Sequence, residues 1–198
     1  VCAGPVTLAR QYREQAPCSV RYRLINTGNA NAGTGARGLA DARLCCAELA
    51  RHAGVDARSV LPFSTGVIGE PLPTGPLIDG IPAALAALDE NSWQAAAEGI
   101  MTTDTRPKGA SRRVVCDGHQ LTLGGIAKGA RMIRPDMATM LAFVAPDARL
   151  PASVHDHMLA RAVSDTFNSI TVDGATSTND ACLLLATGRS DTPRSDAI

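Results

Sequence analysis

The chain has 198 residues with 19 Lys plus Arg against 19 Asp plus Glu, a formal net charge of zero; 45% of its residues are hydrophobic, 19% charged and 3% aromatic. That balance suits a globular chain with a sizeable core, in one domain or two closely packed lobes. It supplies neither the basic surplus nor the aromatic stacking surface that nucleic-acid binding uses, so no nucleic-acid partner is expected.

In chain order, residues 20–25 (Val-Arg-Tyr-Arg-Leu-Ile) alternate as a half-buried strand does. They run into turn formers and small residues over 26–35, a loop suited to close backbone packing. A helix is expected over 39–52, with Ala42, Cys46, Leu49 and Ala50 at helical spacing and Gly54 as its stop. Residues 59–63 read as a strand ending in Ser64-Thr65-Gly66. The Ala- and Leu-rich stretch 74–88 is expected to be helical once past Pro82, and a short helix fits 92–100 with Ser92 as its N-cap. An Asp117-Gly118 turn between 114–116 and 120–123 predicts a hairpin. Residues 140–144 fit a buried strand and 153–167 a helix, with further strands over 170–172 and 181–186. Mixed strands and helices of this kind point to an α/β (mixed α+β) fold.

Ordinary catalytic and ligand motifs are absent: there is no G-x-S-x-G elbow, Walker loop, H-E-x-x-H or dinucleotide fingerprint. His155 and His157 are two apart on a predicted helix and so face different ways; they are read as solvated residues, and no metal is expected. The six cysteines include no C-x-x-C pair and are read as free, mostly buried thiols in a reducing cytoplasm. Apolar runs such as 183–186 are far short of the roughly 20 residues that span a bilayer, and residues from Val1 onward show no secretory pattern. The expected location is therefore cytoplasmic, with no membrane partner.

What stands out instead is a series of small and polar segments: 64–71 (Ser-Thr-Gly-Val-Ile-Gly-Glu-Pro), 101–105 (Met-Thr-Thr-Asp-Thr), 128–133 (Lys-Gly-Ala-Arg-Met-Ile) and 135–141 (Pro-Asp-Met-Ala-Thr-Met-Leu). Singly, each has a plain structural role, as a strand-ending turn, an Asx turn or a solvated loop. Together, and with Asn29-Ala30-Asn31-Ala32, Pro107-Lys108, Phe167-Asn168 and residues 173–180 (Asp-Gly-Ala-Thr-Ser-Thr-Asn-Asp), they resemble the glutamate N-acetyltransferase (ornithine acetyltransferase) family. The match runs along nearly the whole chain.

The resemblance implies layered sheets flanked by helices in an N-terminal-nucleophile-like, self-cleaving fold. It places the cut between Ala138 and Thr139, making residues 1–138 the later part of a first chain and 139–198 the start of a second, within a longer precursor. Further substrate contacts of the family would then lie beyond Ile198. It also implies that Thr139 is the nucleophile that carries acetyl from N-acetylornithine to glutamate in arginine biosynthesis. Acetyl-CoA is a second donor in some members. Thr65 and Gly66 map to the oxyanion-stabilising pair, and Thr102 and Lys128, with Thr139, to substrate contacts. The two processed chains would pair as an α–β heterodimer and assemble as a heterotetramer, and no cofactor is required. Two alternatives stay open at this point: an aminopeptidase using the same nucleophile logic, and a truncated, non-catalytic homologue.

Overall fold

The computed structural model describes residues 2–15, 19–116, 118–130, 140–170 and 177–190. The chain forms two compact units, Val1–Ser92 and Trp93–Ile198.

The first unit is organised by a parallel strand pair, which requires a crossover between its members. Helix α1 (Gly4–Gln15) precedes β1 (Tyr22–Asn26); α2 (Gly35–Ala53) makes the crossover to β2 (Val60–Ser64), and α3 (Thr74–Ala86) follows. The strands pair in register from Tyr22↔Val60 to Asn26↔Ser64. One face of α2 supplies Ala42, Cys46, Leu49 and Ala50 to a core completed by Leu8, Val60 and Ile81. Gly54 ends α2 in the left-handed region at φ 66°, its N–H donating to the Ala50 carbonyl. That is the stop its position predicts. All five residues of β2 are buried.

The second unit holds α4 (Trp93–Gly99), β3 (Lys108–Cys116), β4 (His119–Lys128), β5 (Leu141–Pro146), α5 (Ala152–Asp165) and β6 (Ala181–Leu184). Its sheet has the order β3-β4-β5-β6, the first two pairings antiparallel and the last parallel. Cys116 pairs with His119, so the expected hairpin is formed; Gly118 has φ 79°, and Asp117 lies outside the described residues. The parallel pairing of β5 and β6 is bridged by α5, as such a pairing demands.

The mixed α/β architecture agrees with the sequence reading, and several element bounds differ from it. Helix α3 begins at Thr74 and contains Pro82 rather than starting beyond it. Burial of Ile81 in the core and the packing of Leu85 against it hold the helix through the proline, overriding the lost backbone bond. Helix α1 was not anticipated, although Pro5, Leu8 and Tyr12 have helical spacing and Pro5 sits in the first turn. Strands β3 and β4 reach Lys108 and Lys128, well past the short apolar runs that marked them, because ladder pairing carries them through exposed polar residues and Gly124-Gly125. Of the strand expected over 170–172, Thr171 and Val172 lie outside the described residues, and Ile170 closes a short 3₁₀ turn (Phe167–Ser169). Among the described residues no helix is long and apolar enough to cross a membrane.

Candidate active site

In the first unit the site residues lie where the two parallel strands end. In-register pairing brings Asn26 beside Ser64, so the loops leaving β1 and β2 run together. Asparagine side chains then bind one loop to the other. Asn26 Oδ1 accepts from Ser64 Oγ at 2.6 Å, and its Nδ2 donates to the Asn29 carbonyl at 2.8 Å. Asn29 Oδ1 accepts from the Asn31 N–H at 2.8 Å while its Nδ2 donates to the carbonyls of Glu70 and Pro71 at 3.2 and 3.0 Å. Asn31, in the left-handed region at φ 47° and wholly buried, donates to the Gly38 carbonyl and accepts from Thr34 Oγ1. Asparagine tolerates that backbone region better than most residues. Buried amides with partners on both ends fix the loop rather than destabilise it.

Thr65 and Gly66 sit on this scaffold. Thr65 is fully buried, and its N–H donates to the Asn26 carbonyl at 3.1 Å. Gly66 is exposed, with φ 137°. A Cβ there would lie 2.3 Å from the Gly28 carbonyl carbon and 2.5 Å from the Asn29 nitrogen. Glycine is therefore required twice, for its conformation and for the approach of the neighbouring backbone.

In the second unit the candidate site is a buried charge cluster at one end of the sheet. Lys128, the last residue of β4, is 3% exposed and donates from Nζ to Thr102 Oγ1 at 2.8 Å. Burial lowers its pKa, opposed by the carboxylates of Asp104 and Asp180 and aided by the ammonium of Lys108. The Asp104 side chain has no exposed surface. Its Oδ1 accepts from Lys108 Nζ and from the Gly129 N–H at 2.9 Å, and its Oδ2 accepts from the Thr102 N–H at 3.3 Å. Burial pushes the Asp104 carboxyl upward, but these donors outweigh it and hold the pKa below the usual value. One carboxylate thus gathers the Thr102 loop, the start of β3 and the end of β4. Asp180 completes the cluster: its Oδ1 accepts from the Met140 N–H at 2.8 Å, and burial pushes its pKa up to about 6 against the pull of that N–H, the Ser177 hydroxyl and Lys128.

The structure joins Thr102 to Lys128 and sets Thr65 beside Gly66. Ala138 and Thr139 lie outside the described residues. Sequence reading gave no role to Asp104 or Asp180, although both stand in quoted segments, and it missed Gly38, whose absent Cβ would come 2.2 Å from Asn31 Oδ1. A buried acid with several donors is visible only once the fold is known. His155 is partly buried on α5 with Nε2 lacking a partner, which departs from the solvated reading, while His157 is exposed. Among the described cysteines none is bridged; Cys45 and Cys46 are buried, with pKa pushed up to about 11 and about 12 by that burial, whereas Cys2 and Cys116 are exposed.

Asp180 has a consequence for stability. Its native carboxyl keeps a proton to about pH 6, against 3.8 for an unperturbed one. Between these values the folded state binds more protons than the unfolded state, so this group's contribution is full below the lower value and lost as pH rises through the upper. Asp180→Asn, a neutral isostere, is expected to melt like wild type at about pH 4 and at a higher temperature than wild type at about pH 7. Thermal unfolding across that range, followed by circular dichroism, checks it; a gap that stays constant with pH would contradict it.

The ArgJ family model matches residues 1–198. Over 192 residues the chain is 58% identical to the arginine biosynthesis bifunctional protein ArgJ of Methylococcus capsulatus, covering 97% of this chain and 46% of that protein. It is 56% identical to the ArgJ of Pseudomonas syringae pv. tomato, covering 97% and 47%. The chain spans about half the length of the curated relatives it matches. Among solved structures, ArgJ from Bacillus halodurans matches with a TM-score of 0.59 at 32% identity, over 70% of this chain and 71% of that one. The ornithine acetyltransferase of Mycobacterium tuberculosis, solved in complex with ornithine, matches with a TM-score of 0.56 at 27% identity, over 71% and 72%. The fold described above is shared with these solved proteins, and the chain belongs to the ArgJ family.

Proposed function

We propose that this chain is part of an acetyltransferase of arginine biosynthesis that moves an acetyl group from N-acetylornithine to glutamate through an ester on Thr139. The cytoplasm is its proposed location, acetyl-CoA its proposed second donor, and the α–β pair of processed chains its proposed form. The observation that carries the reading is the Lys128–Thr102 pair: a buried ammonium bonded to a hydroxyl, at the end of the strand paired with β5, which starts two residues after Thr139. An ammonium so placed suits the carboxylate of an amino-acid substrate. The ornithine bound to the Mycobacterium tuberculosis relative is an amino acid carrying such a carboxylate.

The chemistry starts with Thr139 Oγ attacking the Ala138 carbonyl carbon. The C–N bond breaks, the hydroxyl proton passes to the departing nitrogen, and an ester is left. Water cleaves that ester, releasing the Ala138 carboxylate and restoring the hydroxyl. The new α-amine, with a reference pKa of roughly 7.7–8.0, then serves as base for the same hydroxyl. In the transfer proper, Thr139 Oγ attacks the acetyl carbonyl of N-acetylornithine, ornithine leaves as the amine, and acetyl remains as an ester. The amine of glutamate attacks that ester, and the hydroxyl is regenerated. Thr65 and Gly66 are proposed as donors to the oxyanion of these steps.

Processing is the direct test. In the full-length protein Thr139→Ala is expected to remain one chain by intact mass, and Thr139→Ser to cut more slowly than wild type. Cleavage of the alanine variant at Ala138 would rule the mechanism out. An uncut, inert wild type would favour the non-catalytic homologue.

Kinetics separate the two groups of residues. Thr65→Ala removes a contact made mainly in the transition state, so kcat should fall by roughly 10²–10³ with KM little changed. Lys128→Ala removes a contact made to the ground state as well and should act mostly on KM. The burial of Thr65 also suits a purely structural part; a Thr65→Ala enzyme that melts early yet turns over normally would assign it that part alone.

A further inference from the structure

Asp180 carries an inference beyond the residues assigned so far. Strand register places Lys128 opposite Leu141, and Leu141 opposite Ala181. The residues just before the last two, Met140 and Asp180, therefore lie together at the same end of the sheet as Lys128. Met140 is held there from both sides: its N–H donates to Asp180 Oδ1 at 2.8 Å, and its carbonyl accepts from the Ala181 N–H at 3.0 Å. Asp180 is itself held by the Ser177 hydroxyl, with the Lys128 ammonium near enough to favour its ionised form.

We propose that Asp180 is a positioning residue for the Ala138–Thr139 junction, its carboxylate fixing the backbone of Met140, the residue that follows Thr139, beside Lys128. The inference rests on the assignment of Thr139 as nucleophile and deepens it. Thr139 is joined to Met140 by a single planar peptide bond, so whatever holds the Met140 N–H limits the positions open to the attacking hydroxyl before cleavage and after it. Displacement of a reacting group by about 1 Å costs on the order of 10² in rate. Asp180 acts on the reaction through Met140 and touches no substrate.

The test compares Asp180→Ala with Asp180→Asn in the full-length protein, following the appearance of the two fragments by intact mass together with the unfolding midpoint. The asparagine keeps an oxygen that accepts from Met140, whereas the alanine does not. The expected result is cleavage slowed at least about tenfold in the alanine variant and restored to within about threefold of wild type in the asparagine variant. Equal cleavage in all three proteins, or equal loss in both variants, would overturn the proposal. Should the alanine variant not fold, amide hydrogen exchange at Met140 in wild type replaces it; protection there supports the proposal, and exchange at an unprotected rate overturns it. A wild type that never cuts while Met140 is protected would instead sink the Thr139 assignment.

Discussion

The backbone pairing of β4, β5 and β6 is the constraint on which the second unit's chemistry depends. A strand register has a period of two, and a slip of one residue turns every side chain to the opposite face. In the register observed, Lys128, Leu141 and Ala181 share one row although 13 and 40 residues separate them along the chain. Lys128 is directed into the buried cluster by that row, and Met140 and Asp180 are brought together by the same row. The expected division at Ala138–Thr139 falls in the connection between β4 and β5, so strands from both sides of it belong to one sheet.

Buried charge in this cluster is held by its arrangement. Taking an ammonium and two carboxylates out of water is costly, and the cost is met only where donors and acceptors are matched. Asp104 is matched by Lys108, Gly129 and Thr102 and stays ionised readily. Asp180 has fewer such donors relative to its burial, and its pKa rises. Two acids near one lysine are thereby pushed in opposite directions, a separation common where proton state matters to chemistry. The first unit solves a different problem with neutral groups. Asn26, Asn29 and Asn31 tie two loops together by side-chain amides, and the close approach they enforce leaves room only for glycine at 66.

Much of this was legible from sequence where local chemistry decides structure. Gly54 as a helix stop, the hairpin of β3 and β4 and the apolar face of α2 are written in a few adjacent residues, and they stand as expected. The candidate site segments stand out only together, through the resemblance that their order along the chain carries. Where pairing or packing from distant residues decides, the sequence said less. Pro82 inside α3 is tolerated because Ile81 is buried. The outer half of β4 is a strand because β3 and β5 pair with it despite Gly124-Gly125. Asp104 and Asp180 look like ordinary turn acids until their partners, up to 40 residues away, are in place.

The central claim is that one hydroxyl, on Thr139, carries the acetyl group between donor and acceptor. Mixing the full-length, processed protein with N-acetylornithine in the absence of glutamate, quenching in acid and weighing the second chain tests it most directly. The account predicts a mass increase of one acetyl group, located on the Thr139 terminal peptide and discharged when glutamate is added. A turning-over enzyme whose Thr139 peptide stays unmodified, with intersecting rather than parallel double-reciprocal lines, would contradict it.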